Sequence, residues 1–379
     1  MGMKAIPYGR QQITDADIAA VVETLQSDYL TTGPRIAAFE QAFADYIGVA
    51  HAVAVANGTA ALHLCAMGMN IQPGQKVITT PNTFAASANC VRYCGGEIDL
   101  VDIDPKTWLM DVDQLEAKLA AGNYSGIIPV DFAGHPVQMN RVRELADAYN
   151  CWIIEDACHA PGGYFLENGQ KQYCGNGQFA DLSIFSFHPV KHIACGEGGM
   201  ITTRDAALAD RLRMLRTHGI TRDRGKLRED HGGWYYEMQE LGYNYRLSDI
   251  HAALGISQLS RADANLARRR TLAQRYNAAF AGTKVGRPLM AEGHAWHLYV
   301  VQVPQRKALF DHLRSLKIYC QIHYIPLHYQ PYYQQMGWQK GAFPHCEHYY
   351  DHCLSLPLFP DLSDADQDFV IQTILDFLG

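Results

Sequence analysis

Lys191 stands just past an apolar run, residues 182–187, that ends in Ser186-Phe187-His188-Pro189-Val190, and Gly196-Glu197-Gly198-Gly199 follows it closely. A second apolar run, 151–157, finishes on Glu155-Asp156-Ala157. An aspartate at the carboxyl end of a parallel strand faces the crevice where α/β folds bind ligands. A primary amine and a carboxylate in one crevice suit pyridoxal phosphate: the amine joins the aldehyde as a Schiff base, and the acid keeps the pyridine nitrogen protonated. The ring then draws electrons from a carbanion, and the released lysine can carry the proton as a general base. Asn57-Gly58-Thr59-Ala60 lies at a strand-to-helix turn. Free N–H groups and the positive end of a helix dipole there suit a phosphate dianion.

The elements that must position these groups are legible in the pattern. Apolar runs at 52–56, 76–80, 97–104, 126–132, 151–157, 182–187 and 199–203 alternate with helical stretches at 60–69, 83–94 and 139–149. Near-continuous apolar strands separated by helices predict a mostly parallel sheet covered on both faces, an α/β fold. From Ser248 to Phe280 apolar residues recur at helical spacing, as one long helix or two in series, and Arg268-Arg269-Arg270 reads as its solvated face. Strands at 296–303 and 317–325, a helix at 305–315 and a last helix at 363–378 describe a smaller α+β unit. The expected division is a large cofactor-binding domain over 1–250, and a linking helix with a small C-terminal domain over 251–379.

Composition narrows the classes. The chain has 379 residues, 39 acidic and 32 basic, for a formal charge of −7, which argues against a nucleic-acid partner. No window approaches the roughly 20 apolar residues of a membrane span, so no membrane partner is expected. The first dozen residues lack the apolar core of a signal peptide, so a soluble, cytoplasmic protein is expected. Ten scattered cysteines without a CxxC pair read as reduced thiols. The run His345-Cys346-Glu347-His348 lacks the spacing of a zinc site, and no metal is expected.

Nearly the whole chain resembles the DegT/StrS-type sugar aminotransferases, pyridoxal phosphate enzymes of fold type I. The likeness rests on Asp28-Tyr29-Leu30-Thr31-Thr32-Gly33-Pro34, Asn57-Gly58-Thr59-Ala60-Ala61-Leu62, Thr83-Phe84-Ala85-Ala86 and Glu155-Asp156-Ala157-Cys158-His159. It continues through Ser186-Phe187-His188-Pro189-Val190-Lys191, Gly196-Glu197-Gly198-Gly199 and Gly242-Tyr243-Asn244-Tyr245-Arg246-Leu247-Ser248-Asp249. The resemblance implies that Lys191 is the Schiff-base lysine and Asp156 the pyridinium partner. It also implies that Gly58, Thr59, the Ala60 backbone and Ser186 hold the cofactor phosphate, and that Phe84 stacks on the ring. His159 stands where many relatives carry glutamine, with a contact to the cofactor's 3′-oxygen implied. Asn244 would reach the phosphate of a neighbouring subunit, making the active sites shared in a homodimer. His188 would relay a proton or position Lys191.

Narrower wording at 28–34, 216–222 and 321–333 resembles the branch that acts in the pseudaminic acid pathway. That branch transfers an amino group from L-glutamate to C4 of a UDP-linked 4-keto-6-deoxy-N-acetylhexosamine. Tyr8, Thr31, Arg222, Trp234, His323, Tyr324 and His328 are the residues expected to meet that sugar nucleotide. Other nucleotide-linked keto sugars, of GDP-perosamine or dTDP-amino-sugar type, stay open because fold says little about substrate. Related 3-dehydratases carry histidine at the lysine position, which Lys191 argues against. A nicotinamide oxidoreductase lacks its glycine fingerprint here, since Gly175-Asn176-Gly177-Gln178-Phe179-Ala180 ends in alanine. A non-catalytic binding module would not need lysine, aspartate and phosphate residues together.

Overall fold

The computed structural model describes residues 5–379. Seven strands form the central sheet in the order His51–Val55, Gly199–Thr203, Leu182–Ser186, Trp152–Asp156, Gly126–Ile127, Lys76–Thr79 and Glu97–Leu100. Gly199–Thr203 is antiparallel to both neighbours, and the other pairings are parallel. Alternation along each strand divides its side chains between two cores. Val53, Val55, Ile184 and Ile201 join one cluster with Leu62 and Leu64, while Ala52, Ala54, Phe185 and Met200 join another with Phe39 and Phe43. A strand buried on both faces has no polar side to show, which is why these runs read as continuously apolar. Each fully buried phenylalanine contributes about 2–3 kcal/mol.

The chain turns at the carboxyl edge of this sheet are built for side-chain display. Asn57 is the extended N-cap of the helix Gly58–Gly68, and its Oδ1 accepts the Ala60 N–H at 2.8 Å. The helix expected at 83–94 starts only at Ala86, because Thr83 turns its hydroxyl to Ser87 (2.9 Å) and leaves Phe84 projecting, 60% exposed. The run 126–132 pairs as a strand only over Gly126–Ile127. Pro129 has no N–H to extend the ladder, and Phe132–Gly134 closes into a short 3-10 turn.

The 248–280 segment is two helices in series, Asp249–Leu259 and Ala262–Ala279. Arg269 corrects the solvated reading of the arginine run. It is 1% exposed, and its Nη1 donates to the carbonyls of Trp296 (3.3 Å), His297 (3.2 Å) and Leu358 (3.0 Å). Only Arg268 of the three pairs with a carboxylate, Asp364 at 2.7 Å. The remaining core joins Leu272 and Tyr276 to Val301, Leu309, Leu354 and Ile374, and Ile6 enters it from the N-terminal side. Ile6–Pro7 pairs in parallel with Ile318–Tyr319, the only part of the expected 317–325 strand that forms a ladder.

Asp17 ties the first helix, Asp15–Leu25, to Asp249–Leu259 and the residues after it. Its carboxylate has no exposed surface and accepts from Ser257 Oγ (2.6 Å), Gln258 Nε2 (3.0 Å) and Arg261 Nη2 (2.8 Å), besides closing a capping box with Thr14. Burial alone would raise its pKa, but the Arg261 and Ser257 hydrogen bonds outweigh it and hold the carboxyl at about 2. A depressed carboxyl stabilises the fold above its unfolded pKa of about 3.9, and that stability is lost as pH falls toward 2. Asp17→Ala is expected to cost about 3 kcal/mol by stranding Arg261. Thermal unfolding between pH 2 and 7 should show the wild-type advantage shrinking below pH 4; a gap that stays constant would contradict this.

Candidate active site

One cavity of about 370 Å³ opens where the strands Trp152–Asp156 and Leu182–Ser186 and the helix Gly58–Gly68 meet. Gly58, Thr59, Phe84, Asp156, His159, Ser186, His188 and Lys191 line it, together with Tyr8, His323 and Tyr324. Tyr8 and His323 stand with ring centres 5.4 Å apart, and Phe84 and Tyr324 with theirs at 6.1 Å.

Asp156 is 6% exposed, and each carboxylate oxygen has a donor: Ser87 Oγ–H at 2.6 Å and the Cys158 N–H at 3.2 Å. Ser87 was missed in sequence because nothing but its hydroxyl marks it; the start of its helix brings it under the aspartate. Burial draws the Lys191 ammonium below its ordinary range, while Cys158 and Asp156 pull the other way. A lysine that sheds its proton readily is a better nucleophile. The Gly58 position admits no larger side chain freely, since a Cβ there would stand 3.0 Å from Ser186 Cβ. The first N–H groups of the helix, at Gly58 and Thr59, have no intrahelical partner and point out of its N-terminus.

Histidines form the back wall. His159 is 5% exposed; its Nδ1 accepts the Ala133 N–H at 3.2 Å, and its Nε2 meets Tyr324 Oη at 3.2 Å. His297 packs on it, ring centres 4.3 Å apart, and His192 lies 5.5 Å beyond with its Nε2 on the Ala295 carbonyl at 2.8 Å. Burial drives His159, His192 and His297 far below the usual imidazole range, with the Lys191 charge adding to it. Burial and Lys191 likewise push His323 down to about 3. The cationic lysine thus sits among neutral rings. His297 also lines the cavity and escaped the sequence reading, as do Thr83 and Glu197, which stand in the motifs without a site role there. His297 carries only the signal of one polar residue in an apolar strand.

Several expected residues stand elsewhere. His328 is fully enclosed, its Nε2 on Glu347 Oε1 at 3.0 Å and its ring against Phe343, so it meets no ligand in this cavity. The Ala60 N–H is already taken by the Asn57 cap, and Ala60 does not line the cavity. Thr31 and Asn244 are exposed and make isolated bridges to Ser248 and Thr217, outside the cavity of their own chain. Arg222 and Trp234 lie on an exposed loop, Arg222 over the Tyr236 ring at 5.7 Å and Trp234 75% exposed. The His345 run does not gather: His345 Nδ1 faces the Ile103 carbonyl at 3.2 Å and Glu347 holds His328.

The model of the DegT/DnrJ/EryC1/StrS aminotransferase family matches residues 11–375. The chain belongs to that family. The spore coat polysaccharide biosynthesis protein SpsC of Bacillus subtilis is 38% identical over 384 aligned residues, covering 98% of this chain and 97% of that protein. The pyridoxal phosphate form of the sugar aminotransferase Spr1654 from Streptococcus pneumoniae superposes with a TM-score of 0.89, at 29% identity over 98% of both chains. Helicobacter pylori PseC, an aminotransferase involved in pseudaminic acid biosynthesis, gives a TM-score of 0.89, at 29% identity over 99% of both chains. The fold is that of the fold-type I pyridoxal phosphate enzymes, and this protein is a pyridoxal-phosphate-dependent aminotransferase. No helix among the described residues is long and apolar enough to cross a membrane.

The residues present fit that cofactor: an amine, a hydrogen-bonded buried carboxylate, an exposed aromatic face and a helix N-terminus border one space. Gly58→Val should raise the dissociation constant for pyridoxal phosphate at least about tenfold by crowding Ser186 at that N-terminus. Fluorescence titration of the apoenzyme measures it, and unchanged affinity would detach Gly58 from the cofactor.

Proposed function

We propose that this aminotransferase moves an amino group from L-glutamate to C4 of a UDP-linked 4-keto-6-deoxy-N-acetylhexosamine, in the making of pseudaminic acid or a related cell-surface sugar. The observation that carries the reading is the cavity itself, where Lys191 and Asp156 share one space with Tyr8, His323 and Tyr324. The names of SpsC and PseC support a cell-surface sugar, and the 216–222 and 321–333 wording favours the UDP-linked one.

In this reading Lys191 would hold the cofactor through its aldehyde, and the same amine would serve as the base that moves the substrate proton. Asp156, fixed by Ser87 and Cys158, holds the pyridinium proton. Thr59, Ser186 and the Gly58 N–H receive the phosphate at the helix N-terminus. Phe84 offers its face to the ring. Bound pyridoxal phosphate supplies the electron sink that makes the α-proton removable. His188, exposed at the cavity edge with no side-chain partner, orients Lys191 or relays its proton. Tyr8, His323 and Tyr324 supply aromatic and hydroxyl contacts for the sugar.

The reading includes a two-fold dimer working in the cytoplasm. Near Thr31 and Asn244 in sequence, Tyr29, Leu30 and Leu241 are exposed apolar side chains that a partner copy would cover. Across the two-fold, Asn244 would complete the phosphate site of the neighbouring copy, and the loop of Arg222 and Trp234 would lie beside it.

Purified protein with pyridoxal phosphate should show the yellow absorbance of the lysine-bound cofactor, and Lys191→Ala should lose both the band and at least about a thousandfold of the rate. A wild type that stays colourless would overturn the assignment of Lys191. With glutamate and a panel of nucleotide keto sugars, 2-oxoglutarate release should be fastest with the UDP-linked 4-keto sugar. Strong preference for a GDP- or dTDP-sugar would overturn the substrate.

A further inference from the structure

His159 and Tyr324 make a hydrogen-bond chain whose direction can be read from its first link. The Ala133 N–H can only donate, and it is aimed at His159 Nδ1 at 3.2 Å. Nδ1 must therefore carry the lone pair, which excludes both the imidazolium and the Nδ1–H tautomer. The ring hydrogen sits on Nε2, so the 3.2 Å contact to Tyr324 Oη is a donation from histidine to phenol. The phenol oxygen has then accepted, and its own hydrogen must point away from His159.

The frame around this chain is closely packed. Phe132 meets both rings at centre distances of 6.1 Å, and His297 backs His159 at 4.3 Å. The backbone just before the tyrosine is tied down as well, because Tyr349 Oη donates to the His323 carbonyl at 2.7 Å. His323 Nδ1 is itself held by Ser355 Oγ at 2.8 Å. The phenol cannot swing far, and no other side chain among the described residues takes its hydrogen.

We propose that His159 is a positioning residue for Tyr324: by donating from Nε2 it makes the Tyr324 hydroxyl a one-way donor, which binds an acceptor oxygen of the keto-sugar substrate. The proposal rests on the reading that the Tyr8–His323–Tyr324 wall receives the sugar. Burial, with Asp156 and Cys158 nearby, keeps the Tyr324 phenol protonated far above neutral pH, so it donates throughout the working range. A glutamine at position 159 has the same pair of functions, an oxygen for the Ala133 N–H and an N–H for the phenol.

The tests separate this chain from the substrate assignment. In the 15N spectrum of histidine-labelled holoenzyme, His159 should show a pyrrole-type Nε2 and a pyridine-type Nδ1 from pH 6 to 9. An imidazolium or an Nδ1–H tautomer would overturn the proposal whatever sugar the enzyme uses. Tyr324→Phe should raise KM for the keto sugar about tenfold, the worth of one neutral hydrogen bond, with a smaller change in kcat and in the KM for L-glutamate. His159→Leu should reproduce that KM increase, and His159→Gln should restore it to within about threefold of wild type. A Tyr324→Phe enzyme with unchanged KM, or a His159→Gln enzyme as impaired as His159→Leu, would overturn the proposal. If wild type turns over no UDP-linked keto sugar, the substrate reading fails, and the 15N measurement still decides the chain.

Discussion

A buried carboxylate needs hydrogen-bond donors to offset its lost hydration, and at the cavity Asp156 has one for each oxygen. Ser87 and the Cys158 backbone take one oxygen each. Those two donors come from different segments: the helix after Phe84, and the turn after the strand Trp152–Asp156. Both must be in place before the carboxylate is stable, so they also fix where Phe84 projects and where the chain returns toward Lys191. The sheet matters to function through this edge, where strand ends hand polar groups to one cavity.

Charge in the cavity is managed by burial as much as by pairing. Lys191 is surrounded by imidazoles that burial keeps neutral, so the wall behind it adds hydrogen-bonding shape without adding cations. Arg269 lies one layer further back, bonded to backbone carbonyls and to no carboxylate. It thereby clamps the 296–298 segment that carries His297. The chain's charge of −7 says little about ligands, because the anion-binding features are local: one lysine and one helix N-terminus.

Much of this was legible in the residues. The strands around Asp156 and Ser186 had to be buried on both faces because they carry no polar period, and the turn at Asn57-Gly58-Thr59 had to cap a helix because Asn, Gly and Thr suit no other position so well there. The types and order of Lys191, Asp156 and Thr59 put an amine, an acid and a helix-start hydroxyl in the pattern, and the three line one cavity. His328 shows the limit. Its neighbours in sequence, His323 and Tyr324, line the cavity, yet five residues later the chain has turned inward and Glu347 claims the imidazole.

Sequence by itself therefore determined the fold class and the cofactor chemistry, because those follow from hydrophobic period and functional-group type. Tertiary structure decided which polar side chains share a space: that Ser87 lies under Asp156, that Arg269 is buried, and that His159 meets Tyr324. Those pairings join residues 69 to 165 positions apart. Hydrogen-bond direction between such distant groups depends on packing, to which local pattern is blind.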